Sequence, residues 1–348
     1  MKRIPAVAAL LLIASFALQA LEVKEGLVKL VVNESTARIS LYRLTDVAKG
    51  RYEALIFDQD PRTTFATLSA DGRQYKLGDS SEFRSSVSRT DTGVRIEFRS
   101  ASFVVRQSLD FARSEGSALA DGLRVTFAIE NISEREASLG LRYLIDTWLG
   151  EKSGNHFSTD KRPRVNEETS ITAADADTWV ASMSGPPASG KAAYMIQFAG
   201  PGIDRPDRVL LSNWKRLSDS SWGFDANPQR NFTLVPYSIN DSAAALFWEP
   251  VSVARGGTRS LSFAMGSLNE KGYPADDGKS PTEAIFAATV LGASAPDAAT
   301  SMAADLVAAR DLIGRIDRAM ADGGTISADE LAAWRKILDR LEERKKGY

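Results

Sequence analysis

Residues 123–129 read Leu123-Arg124-Val125-Thr126-Phe127-Ala128-Ile129, with an apolar side chain at every second position. This period of two is typical of a β-strand that has one buried face and one solvated face. The period recurs in residues 27–32, 38–42, 94–98 and 103–109, and clusters of Gly, Asn, Asp and Ser separate these stretches. No long helical period interrupts the pattern before residue 291. The sequence therefore predicts a mainly β domain over residues 21–291.

Short turn signals indicate antiparallel pairing in this domain. Asp71-Gly72 and Asp91-Thr92-Gly93 are hairpin signals, because Asp and Gly tolerate the positive φ of tight turns. We also predict that the polar residues 130–134 form a hairpin loop between two strong strands. More than ten strands in one domain exceed a small sandwich. We expect one large antiparallel double-sheet sandwich or two fused ones.

The composition changes after residue 291. Residues 292–300 are small and predict a linker, and residues 301–348 predict two helices. Apolar residues repeat every three or four positions in both segments, as on amphipathic helices. Ser327 and Glu330 form a capping-box pattern before the second helix. The first apolar stripe contains Met302, Leu306, Ala309, Ile313, Ile316 and Met320, and the second contains Leu331, Trp334, Leu338 and Leu341.

This helical hairpin has two possible roles, which the sequence leaves open. It could pack on its own β domain, or it could pair with another chain through Leu331, Trp334, Leu338 and Leu341. In the second case the hairpin mediates assembly, including a possible oligomer of this chain. An envelope protein or a glycan is the expected partner.

Metal and cofactor sites are not expected. The turn between the two helices fits part of a calcium loop, but its first, third and fifth places would be Ala319, Ala321 and Gly323, which offer no side-chain oxygen. The chain has no cysteine and one histidine, His156, which excludes disulfides, thiolate metal sites and every site with two imidazoles. No glycine-rich phosphate loop is present.

The N-terminus has the features of a secretory signal. Lys2 and Arg3 precede an apolar run over residues 4–18 that ends in small residues, and charges begin at Glu22. We predict a signal peptide over residues 1–20, cleaved after Ala17 or Ala20, and a periplasmic or secreted mature protein without a membrane span. An uncleaved anchor is the alternative. The formal net charge of −2 gives no reason to expect a nucleic-acid partner.

Polar residues that could bind a ligand are densest in residues 139–157. Asp146 could form a buried ion pair with Arg142, four residues earlier on the same strand face. Alternatively, polar side chains here form the wall of a cleft, with Trp148 as a platform for a sugar or peptide. The candidate wall contains Asp146, Glu151, Asn155 and His156.

A second group of candidates combines tryptophans with a carboxylate. Trp214, Trp222 and Glu249 could bind a carbohydrate, in which the indole face takes C–H groups and polar groups fix hydroxyls. The alternative is that these indoles pack in the core.

The residue inventory leaves few routes to catalysis. A Ser-His-Asp triad could use only His156, and the chain has no Gly-x-Ser-x-Gly motif. A glycosidase needs two carboxylates, and Asp146 with Glu249 or Glu151 would serve if the pair lay within about 10 Å in one cleft. No residue is assigned a catalytic role by the sequence.

Three stretches carry a resemblance to a known family. They are residues 129–133, residues 139–147 with Gly150, and residues 244–251 followed by residues 256–259. They resemble exported bacterial proteins with large β-sandwich domains, and the strand layout is similar to supersandwich folds of the galactose-mutarotase type. Mutarotases use histidines with a catalytic glutamate, so with His156 alone the resemblance implies the fold and not the activity. With its export signal and helical hairpin, the chain also looks like periplasmic proteins of spirochaetes, which implies a possible association with periplasmic flagella.

These observations favour a noncatalytic periplasmic binding or scaffold protein. Its sandwich loops would recognise a glycan or a protein surface, and its hairpin would mediate assembly. The alternatives are a carbohydrate-active enzyme that uses Asp146 with Glu249 or Glu151, and an assembly subunit without a small-molecule site.

Overall fold

A computed structural model describes residues 20–47, 49–117, 119–185, 192–220, 222–232, 241–275, 283, 286, 289, 298–321 and 326–347. The predicted signal peptide up to residue 19, residues 292–297 of the predicted linker and the turn at 322–325 lie outside these residues. Residues 298–300, which were predicted as the end of that linker, are helical.

The described part of the chain contains eighteen β-strands, and every pairing between them is antiparallel. In chain order the strands are β1 (Ala20–Glu25), β2 (Val28–Asn33), β3 (Arg38–Asp46), β4 (Arg51–Ala54), β5 (Phe65–Ala70), β6 (Arg73–Lys76), β7 (Arg84–Arg89), β8 (Gly93–Arg99), β9 (Phe103–Ala112), β10 (Gly122–Asn131), β11 (Ala137–Thr147), β12 (Ser158–Thr159), β13 (Thr169–Thr172), β14 (Trp179–Met183), β15 (Ala193–Gln197), β16 (Arg208–Asn213), β17 (Ser242–Val253) and β18 (Thr258–Ser267).

Three sheets result. The largest has eight strands in the order β12-β14-β15-β18-β10-β9-β8-β7, the second has six in the order β13-β16-β17-β11-β5-β6, and β1 to β4 form a four-stranded meander. The predicted mainly β class with an antiparallel sandwich is confirmed. The hairpins at Asp71-Gly72 and at residues 91–93 are confirmed as well, since they join β5 to β6 and β7 to β8.

One continuous apolar core lies between the sheets. In β10, every second residue from Leu123 to Ile129 is fully buried, as the period of two predicts. Across from β10, Tyr143 of β11 contacts Phe127 and Phe263, with ring centroids 5.5 and 5.3 Å apart. The core thus joins the eight-stranded sheet to the six-stranded sheet.

The loop over residues 130–134 differs from its prediction. It does not close a hairpin, because β10 pairs with β9 and β18 whereas β11 pairs with β5 and β17 in the other sheet. The buried Asn131 stabilises this crossing, since its Nδ2 donates to the carbonyls of Arg135 at 2.8 Å and Val253 at 2.9 Å. Alternation within two strands cannot distinguish a hairpin from a crossing between sheets.

Four α-helices and one 3-10 helix are present in the described residues. They are a 3-10 helix (Pro61–Thr63), α1 (Leu149–Ser153), α2 (Trp214–Asp219), α3 (Ala298–Ala321) and α4 (Ala328–Lys345). The predicted capping box is supported, because the Ser327 side chain accepts a hydrogen bond from the Glu330 N–H at 3.2 Å. None of the described helices is long and apolar enough to cross a bilayer.

Helix α3 is attached to the β domain at the turn between β1 and β2. Both backbone polar groups of Gly26 bind this helix: its N–H donates to Asp311 Oδ2 at 2.8 Å, and its carbonyl accepts from Arg310. Arg310 also donates to the Tyr52 hydroxyl at 2.7 Å. The hairpin therefore packs on its own β domain, which was one of the two roles left open.

The faces of the two helices only partly match the prediction. Helix α3 buries Val307, Ala308 and Leu312, whereas four members of its predicted apolar stripe are exposed. In α4, Trp334 and Leu341 pack with Ala308 and Leu312, but Leu331 and Leu338 are exposed. Two of the four candidate partner-binding residues thus belong to the interior of the hairpin.

Candidate functional site

The first group of candidates lies where three strands of the six-stranded sheet meet at one edge. Strands β11 and β16 end there and β17 begins there, with Thr147 and Asn213 both paired to Ser242. Helix α1 follows β11 directly and α2 follows β16 directly. The topology therefore gathers residues from distant parts of the sequence at this edge, which we call the carboxylate edge.

Asp146 is the buried acid of the carboxylate edge. Its neighbours in β11 face the core, so its side chain points to the other side of the sheet, toward the 3-10 helix. Its backbone N–H donates to Thr64 Oγ1 at 3.0 Å, and its side chain is 5% exposed. Burial raises the pKa of Asp146 to about 8, and the charges of Asp241 and Asp60 add to the rise. The carboxyl is therefore largely protonated at pH 7.

Glu151 is the second acid. It lies in α1, and its Oε1 accepts from the Ser242 N–H at 2.8 Å. Burial, together with smaller contributions from the charges of Asp241 and Asp146, raises the pKa of Glu151 to about 8. Asp146 and Glu151 are thus close enough to influence each other's ionisation, and they share Asp241 as a neighbour.

Trp148 and Asn155 flank the second acid. The ammonium of Lys152 lies 3.7 Å from the centroid of the Trp148 ring, so a cation occupies that ring face. The Trp148 indole N–H and Asn155 Oδ1 are buried polar atoms that have no hydrogen-bond partner in the described part of the chain. The Trp148 N–H could donate a hydrogen bond to an incoming group, and Asn155 Oδ1 could accept one from it.

His156 is a core residue of this region. It is 3% exposed and packs edge-on against Phe232, with ring centroids 4.7 Å apart. Burial lowers the pKa of His156 to about 4, so the imidazole is neutral. Gly150 makes this packing possible, because a Cβ there would lie 2.2 Å from the His156 carbonyl oxygen.

Trp214 connects the carboxylate edge to α2. Its indole N–H donates to the Thr63 carbonyl at 2.9 Å, and its backbone N–H donates to the Asp241 carbonyl at 3.3 Å. Thr63 also bonds to the Asp146 side chain. Trp214 is thus a packing residue behind the two acids, which agrees with the alternative that its indole is structural.

Trp222 and Glu249 lie elsewhere. Trp222 donates its indole N–H to Glu249 Oε2 at 2.6 Å, and Arg208 Nε lies 3.2 Å from Glu249 Oε1. Glu249 is six residues further along β17 than Ala243, the partner of Asp146. At about 3.3 Å per residue this separates the two acids by roughly 20 Å. The pairing of Asp146 with Glu249 as two catalytic carboxylates is therefore excluded, and Asp146 with Glu151 remains.

The expected ion pair between Asp146 and Arg142 is also absent from the described structure. Arg142 instead donates to the carbonyls of Leu217 and Ser220 at the end of α2. Four residues of strand span about 13 Å, which is too far for the two charged groups to meet. On one strand face, adjacent side chains are two residues apart, so Arg142 and Asp146 have Leu144 between them.

Sequence reasoning did not assign Asp241, Ser242, Thr63 or Asp60 to this site. The Asp60 side chain forms an Asx turn, in which Oδ1 accepts from the Arg62 N–H at 3.1 Å. No local pattern shows that the 3-10 helix and the start of β17 meet the end of β11. Among the described residues, no three His, Asp or Glu side chains are arranged to hold a metal ion.

Comparisons with known proteins give a similar arrangement of strands. No family model matches this chain, and no curated protein matches it. Solved structures do match, and three of them are a candidate aldose 1-epimerase from Escherichia coli K12, a galactose mutarotase-like protein from Lactobacillus casei and an aldose epimerase homologue from C. elegans.

All three matches have low identity. The E. coli protein is 11% identical, with a TM-score of 0.46, over 72% of this chain and 99% of its own. The L. casei protein is 10% identical, with a TM-score of 0.42, over 72% and 100%. The C. elegans protein is 11% identical, with a TM-score of 0.41, over 72% and 99%. These three structures are named as proteins of the galactose-mutarotase and aldose-epimerase type.

Proposed function

We propose that this chain is an exported binding and scaffold protein, in which the β-sandwich carries the helical hairpin and the hairpin binds an apolar helical face of a protein partner. The observation that carries the proposal is the exposed apolar face of the hairpin. We define this hairpin face by six side chains, of which Met302, Leu306, Ile313 and Met320 belong to α3 and Leu331 and Leu338 belong to α4. Their exposed fractions range from 39% to 73%.

An exposed face of this kind needs an explanation. Single exposed apolar side chains are common, but a contiguous apolar surface marks an interaction site. Along α3, exposed residues 306, 313 and 320 are seven apart, so they lie on one line along the helix. An apolar helical face is the partner surface that fits such a line, because side chains at this spacing interdigitate between helices.

The hairpin is held in a fixed place, which favours binding. Asp311 is buried in the contact with Gly26, and Arg344 of α4 forms an ion pair with Asp305 of α3. A face that is already ordered loses less conformational entropy on association than a mobile segment does. The sandwich thus presents the hairpin face in one orientation.

Export to the periplasm or outside is part of the proposal. It is supported by the N-terminal pattern of Lys2, Arg3 and the apolar run over residues 4–18, and by the absence of cysteine. An envelope protein, including a component of periplasmic flagella, is then the expected kind of partner.

The test is affinity purification of the tagged mature protein from its native envelope, with chemical crosslinking and mass spectrometry. We expect a protein partner whose crosslinks map to α3 and α4. Leu331→Asp with Leu338→Asp should abolish its capture. Val251→Asp is the matched control, because Val251 is an exposed apolar residue of the sandwich. Equal capture by both variants would contradict the proposal.

A second candidate function is proton transfer on a carbohydrate at the carboxylate edge. The observation that favours it is the pair Asp146 and Glu151, whose pKa values are both raised to about 8. A carboxyl group that keeps a proton near pH 7 can act as a general acid, and a glycosidase site pairs such an acid with a second carboxyl group that is ionised. A protonated carboxyl can also donate a hydrogen bond to a sugar hydroxyl in a site that only binds.

Glycan binding and glycosidase or epimerase assays on the mature protein test this candidate. Asp146→Asn and Glu151→Gln should each lower activity or affinity by at least tenfold while the far-UV circular dichroism is unchanged. Glu249→Gln is the matched control, because Glu249 lies at the other end of β17. A wild-type protein that neither binds nor converts any glycan in the panel would rule this candidate out.

A further inference from the structure

We infer that the hairpin face binds a second copy of this chain, with the two α3 helices packed antiparallel about a two-fold axis at the level of residue 311. The inference rests on the proposed function and names its partner. It is carried by the register of the α3 stripe, by the faces that the sandwich and α4 leave uncovered, and by the area available.

The register of the stripe is self-complementary. Residues 302, 306, 309, 313, 316 and 320 are spaced by 4, 3, 4, 3 and 4, so they are arranged symmetrically about residue 311. In an antiparallel pair, Met302 therefore meets Met320 of the second copy, and Leu306 meets Ile316, which is half-buried because it also packs against the interior of its own hairpin. A surface that matches itself in this way is the requirement for a two-fold interface.

Side-chain volume favours the antiparallel arrangement over the parallel one. Antiparallel packing places Ala309 opposite the second copy's Ile313, and the reverse pair repeats on the other side of the axis. Parallel packing would place Ala309 opposite Ala309 and leave a gap at that layer. Large residues packed opposite small ones fill the space between helices.

Two other sides of α3 are already in contact with the rest of the chain, which leaves this apolar side for the partner. Arg310 and Asp311 contact the Gly26 turn, and Ala308 and Leu312 contact α4. Successive residues of an α-helix are rotated by about 100°. Around the axis of α3, the four exposed apolar residues therefore lie within about 40° of one another, on the side away from Asp311. They are residues 302, 306, 313 and 320.

Helix α4 extends the same surface. In this antiparallel hairpin, the right-handed turn of both helices places exposed Leu331 and Leu338 on the same side as the α3 stripe. Two hairpins packed through this side form a four-helix bundle, which is a common solution for pairs of amphipathic helices.

The area is sufficient for a stable dimer. Helix α3 has 24 residues, which corresponds to a length of about 36 Å at about 1.5 Å per residue. Two helices side by side, each about 10 Å wide, present roughly 700 Å² per copy. The total of about 1,400 Å² falls in the range of specific protein–protein interfaces.

Sedimentation equilibrium and cysteine crosslinking test the inference. The purified mature protein should be a dimer at micromolar concentration, Leu306→Asp with Ile313→Asp should be a monomer, and Val251→Asp should remain a dimer.

Because the chain has no cysteine, each cysteine that is introduced can form a disulfide only with another introduced cysteine, so each crosslink reports one contact. An oxidised mixture of Ala309→Cys and Ile313→Cys should give a mixed disulfide, which needs Cα atoms about 4.4–6.8 Å apart.

Position 302 separates the two orientations. In the antiparallel dimer, the two copies of residue 302 are about 27 Å apart, from eighteen residues at about 1.5 Å each. Met302→Cys alone should therefore stay uncrosslinked, whereas its mixture with Met320→Cys should crosslink. Self-crosslinking of Met302→Cys would overturn the antiparallel arrangement.

A monomeric wild type would overturn the self-association. The proposed function would still stand if the envelope purification captured another protein through α3 and α4. It would fail together with the inference if the wild type were monomeric and the hairpin variants captured the same proteins as the wild type.

Discussion

The sandwich and the helical hairpin distribute apolar residues in opposite ways. In the sandwich, the apolar side of each long strand is buried, as Leu123 to Ile129 in β10 and Phe263 in β18 show. In the hairpin, α3 buries a charged residue, Asp311, and leaves Met320 73% exposed. The sandwich therefore buries the apolar side of its strands within one chain, whereas six of the ten residues in the two apolar stripes of the hairpin are exposed. This difference is the reason for the proposal that the hairpin has a partner.

The largest expected effect is in the sandwich core. Phe263 is fully buried and contacts the rings of Tyr143 and Trp248 at centroid distances of 5.3 and 6.1 Å. Phe263→Ala should lower the free energy of unfolding by about 3–5 kcal/mol, because it removes buried area and leaves a cavity. Urea denaturation at pH 7 measures this. Val251→Ala, on the exposed side of β17, should change it by less than about 0.5 kcal/mol. Similar losses in both variants would contradict the described core.

The second effect concerns a buried carboxyl group at the carboxylate edge. The pKa of Asp146 is raised from 3.8 to about 8, so the folded protein keeps a proton that the unfolded chain loses. The contribution of Asp146 to stability is therefore complete below about pH 4 and is lost as the pH rises toward 8. Asp146→Asn should remove this loss, at up to about 1.4 kcal/mol per pH unit.

Urea denaturation at pH 5, 6, 7 and 8 measures this slope. Asp175→Asn is the matched control: the pKa of Asp175 is lowered, chiefly by the hydrogen bond from the Thr172 N–H, so Asp175 is already ionised throughout this range. Its substitution should leave the slope unchanged. An Asp146→Asn variant with the wild-type slope would show that Asp146 is ionised in the folded protein.

Alternation and turn residues were enough to predict the strands, the two short hairpins and the mainly β class. They could not assign strands to sheets, because the crossing after Asn131 depends on the distant carbonyl of Val253. The carboxylate edge shows the same limit. Asp146 and Glu151 are near each other in sequence, so the sequence could name them together, but Asp241 and Thr63 join them only through the order of β11, β17 and the 3-10 helix.

The hairpin shows a different limit of sequence reasoning. The α3 spacing correctly predicted an amphipathic helix, but the side that packs on the β domain is the other one. It is selected by Arg310 and Asp311, which bond to both polar groups of Gly26. Two polar residues that bind a single turn leave no repeating pattern in the sequence, so apolar periodicity cannot predict this contact.

The smallest expected effect is at the hairpin face, and it tests most directly whether the hairpin differs from the sandwich in needing a second chain to cover its apolar residues. Leu338 is 45% exposed and its neighbour Ile337 is fully buried against α3. In dilute solution, Leu338→Ala should change the free energy of unfolding by less than about 0.5 kcal/mol, whereas Ile337→Ala should lower it by at least about 1.5 kcal/mol.

Thermal unfolding at increasing protein concentration distinguishes the two residues further. A dimer is stabilised by mass action, so the loss from Leu338→Ala should grow with concentration while the loss from Ile337→Ala persists at every concentration. If the small effect of Leu338→Ala did not depend on concentration, the hairpin face would be an exposed surface without a second copy on it.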